Sequence, residues 1–456
     1  MNKNDIIRLE IVDMTADGSG VGKAEGTVVF VPDTAVGDVC DVKILKVKKN
    51  LCYGKIESIV NPSGERVDPV CEVSSRCGGC VYRHISYEAE LSVKRKKVFD
   101  AVTRIGKVDP QKVKDIIGAY ESHIDRYRNK AQIPVGVNKN GEVEMGFYSR
   151  HSHRIAGCDD CLLSPKIFTQ ISDTFKEFVT KHPYLIYDEE KHSGKIRHLY
   201  LRYGEKTGEV MVCVVVNGRK FDHQDELFNS IIEKYPQVES IVINVNKDKT
   251  NVILGYENIV VYGKESIKDV LCDLEFELSP LAFYQVNRTQ AERLYEKARE
   301  YASLSGDEVL LDLYCGTGTI GLSMAKDCKS LIGVEIIDKA IENAKKNAEN
   351  NGIKNARFIC GDATKAAFEL KKEGITPDVI VVDPPRKGLT PELINTIVEM
   401  APKRVVYVSC DPATLGRDLK QFEESEYSVK EITPVDLFPR TAHVESVCWL
   451  RRRENR

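Results

Sequence analysis

The hydrophobic positions of the chain follow three successive rhythms. Residues 5–60 form short alternating runs separated by Gly, Asp and Asn turns, which predicts a small β-barrel. From about 127 to 262 the pattern again predicts mainly strands, interrupted by one helix at about 166–181. From about 288 onward, helical patterns alternate with buried strands, which is typical of a doubly wound parallel sheet. The expected fold class is therefore α/β.

Length and apolar content set the broad class of protein. At 456 residues the chain predicts two or three domains, with a Pro- and Gly-rich linker at 60–70 and an amphipathic helix at 88–106. No apolar run reaches the ~18 residues that a membrane span requires. The N-terminus lacks the apolar segment of a secretory signal. We therefore expect a cytoplasmic protein with no membrane partner.

Positive charge is concentrated in a few places, although the net charge is only −3. The clusters are Lys43 to Lys55, Lys94 to Lys97, Arg126 with Arg128 and Lys130, and Arg451 to Arg453. Such clusters either bind phosphates or are solvated faces, and the sequence leaves both interpretations open.

A glycine array lies between a predicted strand and helix. Gly316, Gly318 and Gly321 form G-x-G-x-x-G, which lets the backbone approach a nucleoside cofactor at a helix N-terminus. Glu335 ends the next strand, near the position of an acid that bonds ribose hydroxyls. This pattern fits either a nicotinamide cofactor or S-adenosylmethionine (SAM).

Later strand ends favour SAM. Asp362 follows the third strand and is available to an adenine edge, and Asp383 opens a rigid Asp-Pro-Pro corner after the fourth. Hydride transfer has no clear need for such a corner. Enzymes that methylate exocyclic amines of adenine carry an aromatic residue where this loop has Arg386, so amine methylation is disfavoured. We expect Arg386 to contact the substrate and to help keep a nearby thiol as thiolate.

Two residues fit methylation at C5 of uracil. That carbon is a poor nucleophile until a thiolate adds to C6, and a base must later remove the C5 proton. Cys410 ends the fifth buried strand in a Ser-Cys-Asp-Pro turn, and Glu445 lies in the apolar run HVESVCWL. Taken alone, Cys410 is more readily interpreted as an inert core cysteine, and Glu445 as a carboxylate turned to solvent. Together with the SAM loop they predict a nucleophile and a base, with His443 as a weaker candidate base.

Two further groups of residues are candidates, one for binding a base or the cofactor and one for binding a metal. Phe283 and Gln285 alternate before the nucleotide fold, where they could stack a flipped base and bond it or the cofactor. Of fourteen cysteines, Cys71, Cys77 and Cys80 form C-x5-C-x2-C, with a fourth thiolate available from Cys158 or Cys161. Four thiolates suit a [4Fe–4S] cluster, with zinc as the alternative.

These motifs together resemble the RNA uracil-C5 methyltransferase family, in its TRAM-domain, iron–sulfur branch of RumA-like 23S rRNA (uracil-5-)-methyltransferases. The resemblance covers nearly the whole chain. It implies Cys410 as nucleophile and Glu445 as the acceptor of the C5 proton. It also implies a role at the SAM site for Gln285, Tyr314, Glu335 and Asp383, a place near the target base for Phe283, and Cys161 as the fourth cluster ligand.

The resemblance also implies an organisation and a partner. Residues 1–60 would form an RNA-binding TRAM barrel, 68–88 with 123–280 a central domain carrying the cluster, and 89–122 with 281–456 a Rossmann-like catalytic domain. We expect a monomer that uses SAM and a [4Fe–4S] cluster and acts on structured RNA, with 23S rRNA preferred. The alternatives are the same chemistry on tRNA, an amine-directed methyltransferase, and an RNA-binding iron–sulfur protein without turnover.

Overall fold

The computed structural model describes residues 1–150 and 152–454, and its N-terminal part is a closed five-stranded barrel. The strands are β1 (Ile6–Met14), β2 (Gly20–Ala24), β3 (Thr27–Val31), β4 (Val39–Val47) and β5 (Leu51–Asn61). They follow one another around the barrel in the order β1-β2-β3-β5-β4 and enclose a small apolar core. The predicted barrel is confirmed.

Strand β2 is the part of the barrel that the sequence pattern does not predict. Its sequence, GVGKA, carries two glycines and no alternation of apolar side chains. A Cβ atom at Gly22 would lie 2.6 Å from the carbonyl oxygen of Glu10 on β1. The strand therefore depends on the close approach of its neighbour, which only glycine permits at this position.

The first helix, α1 (Tyr87–Arg104), begins at an N-cap and crosses to the catalytic part of the chain. The hydroxyl of Ser86 accepts a hydrogen bond from the Ala89 backbone N–H, and Glu88 and Glu90 stand in the first turn. Both features stabilise a helix N-terminus. The predicted helix at 88–106 is confirmed.

The middle of the chain forms a seven-stranded sheet. Its strands are β6 (Lys130–Val137), β7 (Val143–Tyr148), β8 (Ile155–Gly157), β9 (Ile196–Tyr203), β10 (Val210–Val216), β11 (Val238–Val245) and β12 (Glu257–Gly263). The order is β12-β11-β10-β9-β6-β7-β8, and only β10 and β11 pair in parallel among these strands in the described part of the chain. Nearly continuous burial of β9 and β10 places them at the centre of the sheet.

Two helices pack on one face of this sheet, α2 (Lys166–Lys181) and α3 (Gln224–Lys234). The sequence pattern predicts α2 correctly but predicts no second helix, which is wrong. Helix α3 has only eleven residues, and its buried side chains are those of Leu227, Phe228 and Ile231. Such a short row of buried positions gives only a weak helical periodicity in the sequence. A parallel β10–β11 pair nevertheless requires a crossover connection such as this helix.

A hairpin and a helix precede the C-terminal sheet. This sheet is expected to carry the catalytic residues and is called the catalytic sheet below. The hairpin consists of β13 (Ile267–Leu271) and β14 (Leu274–Leu278), and the helix is α4 (Arg288–Ala302). The Asn287 side chain caps α4 by accepting a hydrogen bond from the Gln290 backbone N–H. The hairpin and the helix share one apolar cluster with the catalytic sheet, so they cover one of its faces.

The catalytic sheet also has seven strands. They are β15 (Val309–Leu313), β16 (Ser330–Glu335), β17 (Ala356–Cys360), β18 (Val379–Val382), β19 (Arg404–Ser409), β20 (Tyr427–Val435) and β21 (Glu445–Arg452). The intervening helices are α5 (Thr319–Met324), α6 (Asp338–Asn350), α7 (Ala363–Lys372), α8 (Pro391–Met400) and α9 (Pro412–Glu424). None of the helices in the described chain is long and apolar enough to cross a membrane.

The strand order β17-β16-β15-β18-β19-β21-β20 is that of a doubly wound sheet, with one departure from the prediction. Strand β21 runs antiparallel to both β19 and β20, so the sheet is not wholly parallel. The reversal matters for the site because it brings the beginning of β21 to the edge where β19 ends.

A buried ionic network ties α1 to the segment between β20 and β21. The ammonium of Lys94 donates to Glu90 at 2.7 Å and to Asp436 at 2.6 Å, and all three side chains are fully buried. Tyr87 donates its hydroxyl to the other Asp436 oxygen at 2.7 Å, and the Arg440 backbone N–H donates to Glu90 at 2.7 Å. The network therefore fixes the path of the chain just before Glu445.

Removal of Lys94 should be far more costly than removal of an exposed lysine on the same helix. Lys94→Met leaves Asp436 without its cation and Glu90 with only the more distant Arg440, and we expect a loss of about 3–5 kcal/mol in unfolding free energy. Lys96 forms exposed pairs with Asp13 and Asp100, so Lys96→Met should cost less than about 1 kcal/mol. Urea denaturation of both variants measures the difference. Equal losses would contradict a structural role for the network.

Candidate active site

The carboxyl edge of the catalytic sheet gathers the predicted site residues. Strands β15, β18 and β19 are neighbours and parallel, so the residues that follow them lie side by side. Asp383 directly follows β18 and Cys410 directly follows β19. In the β19–β21 register Ser409 pairs with Ser446, so the next pair of positions is Cys410 with Glu445. Two residues 35 positions apart in sequence thus meet at one edge.

Cys410 lies in a rigid turn and is half-buried. Asp411 caps α9 by accepting hydrogen bonds from the Ala413 and Thr414 backbone N–H groups, both at 2.9 Å. Burial, together with the charges of Glu445 and Asp383, raises the pKa of the Cys410 thiol to about 11, and Arg386 acts in the opposite direction. The expected resting thiolate is therefore wrong, because Arg386 does not outweigh burial and two carboxylates. The thiol is protonated until substrate alters its surroundings.

Glu445 is buried, with 7% of its surface exposed, and does not face solvent. Burial raises its pKa to about 8, and the charge of Asp383 adds to the effect while Arg386 lowers it. Burial alone raises the pKa of Asp383 to about 7. A carboxyl group tuned in this way can hold and release a proton near neutral pH.

The cofactor loop between β15 and α5 has the backbone geometry that its glycines suggest. Gly316 and Gly318 have φ values of 55° and 83°, in the left-handed region. The Gly316 N–H donates to one Glu335 oxygen at 3.2 Å and the Ile337 N–H donates to the other at 3.0 Å. Loop and acid are thus held together at the ends of neighbouring strands.

Sequence reasoning missed Asp312, an acid inside β15. It is 1% exposed, and its Oδ2 accepts a hydrogen bond from the Gly321 N–H at 2.9 Å. Its Oδ1 has no hydrogen-bond partner among the described residues, and burial raises its pKa to about 8. The available signal was a single carboxylate in the apolar run VLLDLY directly before the glycine array.

The remaining residues around the cofactor loop differ in their exposure, backbone conformation and hydrogen bonding. Tyr314 is half-buried and has a φ of 67°, which is unfavourable for a residue with a side chain. Asp362 is exposed and caps α7 through the Lys365 N–H at 3.1 Å. Ile336 and Ile337 are 63% and 60% exposed beside Glu335, an apolar surface that sequence reasoning also missed. A flat apolar ring could cover it.

Phe283 and Gln285 lie on the segment between β14 and α4. The Phe283 side chain is 62% exposed, whereas Gln285 is half-buried. The Asn129 side chain donates to the Gln285 carbonyl at 2.8 Å, and the Asn129 N–H donates to the Val286 carbonyl at 2.9 Å. The segment is therefore anchored to the central sheet, with an aromatic ring left open to solvent.

Five cysteines line one cavity of about 200 Å³. They are Cys71, Cys77, Cys80, Cys158 and Cys161. Among the described residues no three of these sulfur atoms lie within 4.8 Å of one another. Thiolates on one tetrahedral zinc ion would be about 3.8 Å apart, given Zn–S distances of about 2.3 Å. The wider spacing fits a cluster that has a separate iron atom for each thiolate.

The basic residues near this cavity divide into two groups. Arg128 and Lys130 line the cavity, together with Arg83, and favour anionic sulfur ligands there. Arg126 donates from both of its terminal nitrogens to the Asp160 carboxylate, each at 2.6 Å. Its charge is thus already paired within the protein, which for Arg126 favours the surface interpretation over the phosphate contact, the two that the sequence leaves open.

Comparison with known proteins identifies the family. The family model described as tRNA (Uracil-5-)-methyltransferase matches residues 86–453, and the TRAM domain model matches residues 2–56. The chain belongs to the RNA (uracil-5-)-methyltransferase family. It is a SAM-dependent RNA methyltransferase with an N-terminal TRAM domain, which confirms the expected family and enzyme class.

Relatives of this uracil-5-methyltransferase match it over almost their whole length. Proteins named as uncharacterized RNA methyltransferases from Clostridium tetani and Halalkalibacterium halodurans are 43% and 44% identical, covering 98% and 99% of this chain and 96% and 98% of their own. A solved structure of Pyrococcus abyssi tRNA (uracil-54, C5)-methyltransferase in complex with S-adenosyl-L-homocysteine is 29% identical, with a TM-score of 0.77. The match covers 97% of this chain and 100% of that one.

The raised pKa of Glu445 predicts a specific dependence of stability on pH. Its ordinary pKa is 4.5 and its folded value is about 8, so between these values the folded protein binds more protons than the unfolded chain. Stability therefore falls as pH rises through this window. Glu445→Gln removes this contribution and should make the protein more stable than wild type at about pH 9, by on the order of 2 kcal/mol.

Urea denaturation from about pH 5 to 9 measures this difference, with Glu424→Gln as the control. Glu424 is an exposed carboxylate at the end of α9, so its replacement should leave the pH profile unchanged. Identical profiles for Glu445→Gln and wild type would contradict a protonated Glu445 in the resting protein.

Proposed function

We propose that this enzyme methylates C5 of a specific uridine in structured RNA, with 23S rRNA as substrate, Cys410 as nucleophile and Glu445 as the acceptor of the C5 proton. The observation that carries the proposal is the β19–β21 register, in which Ser409 pairs with Ser446 and the next two positions are Cys410, half-buried, and Glu445, buried. Uracil C5 chemistry needs a thiol and a base together, whereas methylation of an amine needs neither.

The reaction follows from what each residue can donate or accept. The Cys410 thiol passes its proton to solvent as its sulfur adds to C6 of uracil, and the electron pair of the C5–C6 bond becomes available at C5. Bound SAM supplies an electrophilic methyl group, which C5 takes. Glu445 then accepts the C5 proton, the double bond reforms and the C6–S bond breaks to release Cys410. The resting carboxyl group of Glu445 is protonated and must first lose that proton to solvent, which a pKa of about 8 allows near neutral pH.

We assign the methyl donor to the loop after β15. Gln285, Tyr314, Gly316, Glu335, Asp362 and Asp383 are the proposed SAM-binding residues. The two left-handed glycines open the loop, and the unpartnered Asp312 oxygen is a buried acceptor at its base. Glu335 fits the ribose hydroxyls, and the exposed Ile336 and Ile337 fit the face of adenine. These features suit a nucleoside with a cationic sulfur.

The uracil itself is assigned to the space outside Cys410. Phe283 is proposed to stack on the flipped base because its ring is exposed at the end of an anchored segment. Arg386 is exposed on the Asp-Pro-Pro loop and lowers the pKa of both Cys410 and Glu445, which places its charge near both. It can stabilise the developing charge on the uracil oxygen.

The domain division and the cluster remain part of this proposal. We assign residues 1–60 to the RNA-binding barrel, 68–88 with 123–280 to a central domain, and 89–122 with 281–456 to the catalytic domain. Cys71, Cys77, Cys80 and Cys161 would hold a [4Fe–4S] cluster in a protein that acts as a monomer. The cavity supplies the thiolates and nearby cations, and its lining includes neither Cys410 nor Glu445, which favours a structural role.

The RNA substrate has one specific competitor. The barrel and the cysteine cavity support 23S rRNA through the sequence resemblance. The structural similarity to a tRNA (uracil-54, C5)-methyltransferase supports tRNA instead. Because the chemistry is the same on both, the two substrates are separated by assay and not by the geometry of the site.

Release of tritium from C5 of uracil tests the mechanism and the substrate together. RNA transcribed with 5-tritiated uridine should release tritium to water when SAM is added, and release should come from 23S rRNA rather than tRNA. Cys410→Ala should abolish release, and Glu445→Gln should accumulate a covalent RNA adduct that survives a denaturing gel. Cys272→Ala changes a thiol of similar burial in the β13–β14 turn and should retain activity.

The outcomes separate the two parts of the proposal. Release from tRNA alone would overturn the substrate and leave the mechanism standing. Release by Cys410→Ala at the wild-type rate would overturn the mechanism.

The cysteine variants test the cluster assignment. Protein purified without oxygen should contain iron and labile sulfide, and Cys80→Ala and Cys161→Ala should each lose most of both. Cys158→Ala should keep them because Cys158 is proposed to line the cavity without binding iron. Zinc in place of iron, or loss of iron in Cys158→Ala but not in Cys161→Ala, would contradict the assignment.

A further inference from the structure

Two histidines meet at the junction of the helices that cover the central sheet. His182 caps the C-terminus of α2 and His223 precedes the first residue of α3. Their rings are stacked, with centroids 4.5 Å apart and planes 15° from parallel. Glu226 lies in the first turn of α3, and its Oε2 is 3.9 Å from Nε2 of His182. Three side chains from two helices thus converge on one point.

The ligand atoms of these three side chains all lie within 4.8 Å of one another. Among residues 1–150 and 152–454 no other group of three His, Cys, Asp or Glu side chains meets this distance. Two imidazole nitrogens and one carboxylate oxygen are ligands that suit Zn²⁺, Co²⁺ and Ni²⁺, whereas Mg²⁺ and Ca²⁺ prefer oxygen alone. The donor set therefore selects a borderline divalent transition metal.

The side chains can reach the geometry that such an ion requires. Ligand atoms around a tetrahedral zinc ion are about 3.3–3.5 Å apart, since Zn–N and Zn–O distances are about 2.0–2.2 Å. His182 is the more buried ligand, with 18% of its side chain exposed, and Phe178 packs 4.9 Å from its ring. Glu226 is 55% exposed and free to rotate inward. A fixed imidazole with two adjustable partners leaves a fourth position open to solvent.

Backbone and charge at this junction both favour a cation. His223 has a φ of 59°, a conformation that is unfavourable for histidine and that aims its ring at His182. The C-terminal carbonyls of α2 present negative partial charge beside His182. The positive N-terminus of α3 acts against a cation, but Asp225 and Glu226 in its first turn offset it.

We propose that His182, His223 and Glu226 form a binding site for a divalent transition metal, which joins the end of α2 to the start of α3. Both helices pack on the same face of the central sheet, so the ion would hold the two together at their exposed ends. The site lies on elements that carry neither the catalytic residues nor the cysteine cavity, so its occupancy does not depend on the function proposed above.

Titration with Co²⁺ tests the site in the full-length protein, purified without a polyhistidine tag and with its cysteine cavity in the native state. We expect one Co²⁺ bound per chain, with a difference spectrum, relative to the protein before Co²⁺ is added, that lacks the intense near-ultraviolet sulfur-to-cobalt charge-transfer band of a thiolate site. His182→Ala and His223→Ala should each weaken binding at least tenfold, and Glu226→Gln should weaken it less. Zn²⁺ should raise the thermal midpoint of wild type but not of His182→Ala.

His192→Ala is the matched control. His192 is also exposed and also has a left-handed backbone, with a φ of 52°, but its ring nitrogen interacts with the Tyr187 hydroxyl at 3.0 Å. This variant should bind Co²⁺ as wild type does. Binding that is unchanged in His182→Ala, or that shows a thiolate charge-transfer band, would overturn the proposal. So would the absence of Co²⁺ binding in a wild-type protein that is correctly folded.

Discussion

The cost of burying carboxylates at one edge of the catalytic sheet governs this structure. Asp312, Asp383 and Glu445 all lie there with pKa values raised to about 7 or 8, and burial is the largest cause for each. Such groups destabilise a fold unless they are neutral or paired. An acid retained in this position therefore has a use that outweighs its cost. Proton transfer at Glu445 and ligand contact at Asp312 are the uses that the surrounding geometry offers.

The same edge can remain ordered because a second buried network fixes the chain that leads to it. Lys94 is neutralised by Glu90 and Asp436, so this network is paired where the catalytic edge is not. The segment held by this network also forms hydrogen bonds with residues near the barrel and beside the cysteine loop. Lys97 donates to the carbonyls of Ala442 and of Ala16 near the barrel, and the Val81 N–H beside the cysteine loop donates to the Arg440 carbonyl. Barrel, cysteine loop and catalytic base thus share one short stretch of chain.

Much of the fold and the chemistry could be predicted because they depend on local sequence. The glycine array, the Asp-Pro-Pro corner and the Ser-Cys-Asp-Pro turn each carry their geometry in a few residues. Strand β2 and helix α3 could not be predicted, since the first depends on close approach to a neighbouring strand and the second shows only a short apolar stripe. Asp312 was passed over because one acid in an apolar strand is a weak signal until its surroundings are known.

The protonation of the Cys410 thiol differs from the sequence-based expectation in a way that bears on the mechanism. A single nearby arginine suggested a resting thiolate, but two buried carboxylates and the loss of solvent raise the thiol pKa to about 11. A thiol of this kind is inert toward adventitious electrophiles. Its reactivity rises only when the charge around it changes. The site permits two such changes, which are protonation of Glu445 and the approach of a uracil ring. Burial therefore raises the pKa of the proposed base, Glu445, and also that of the proposed nucleophile, Cys410.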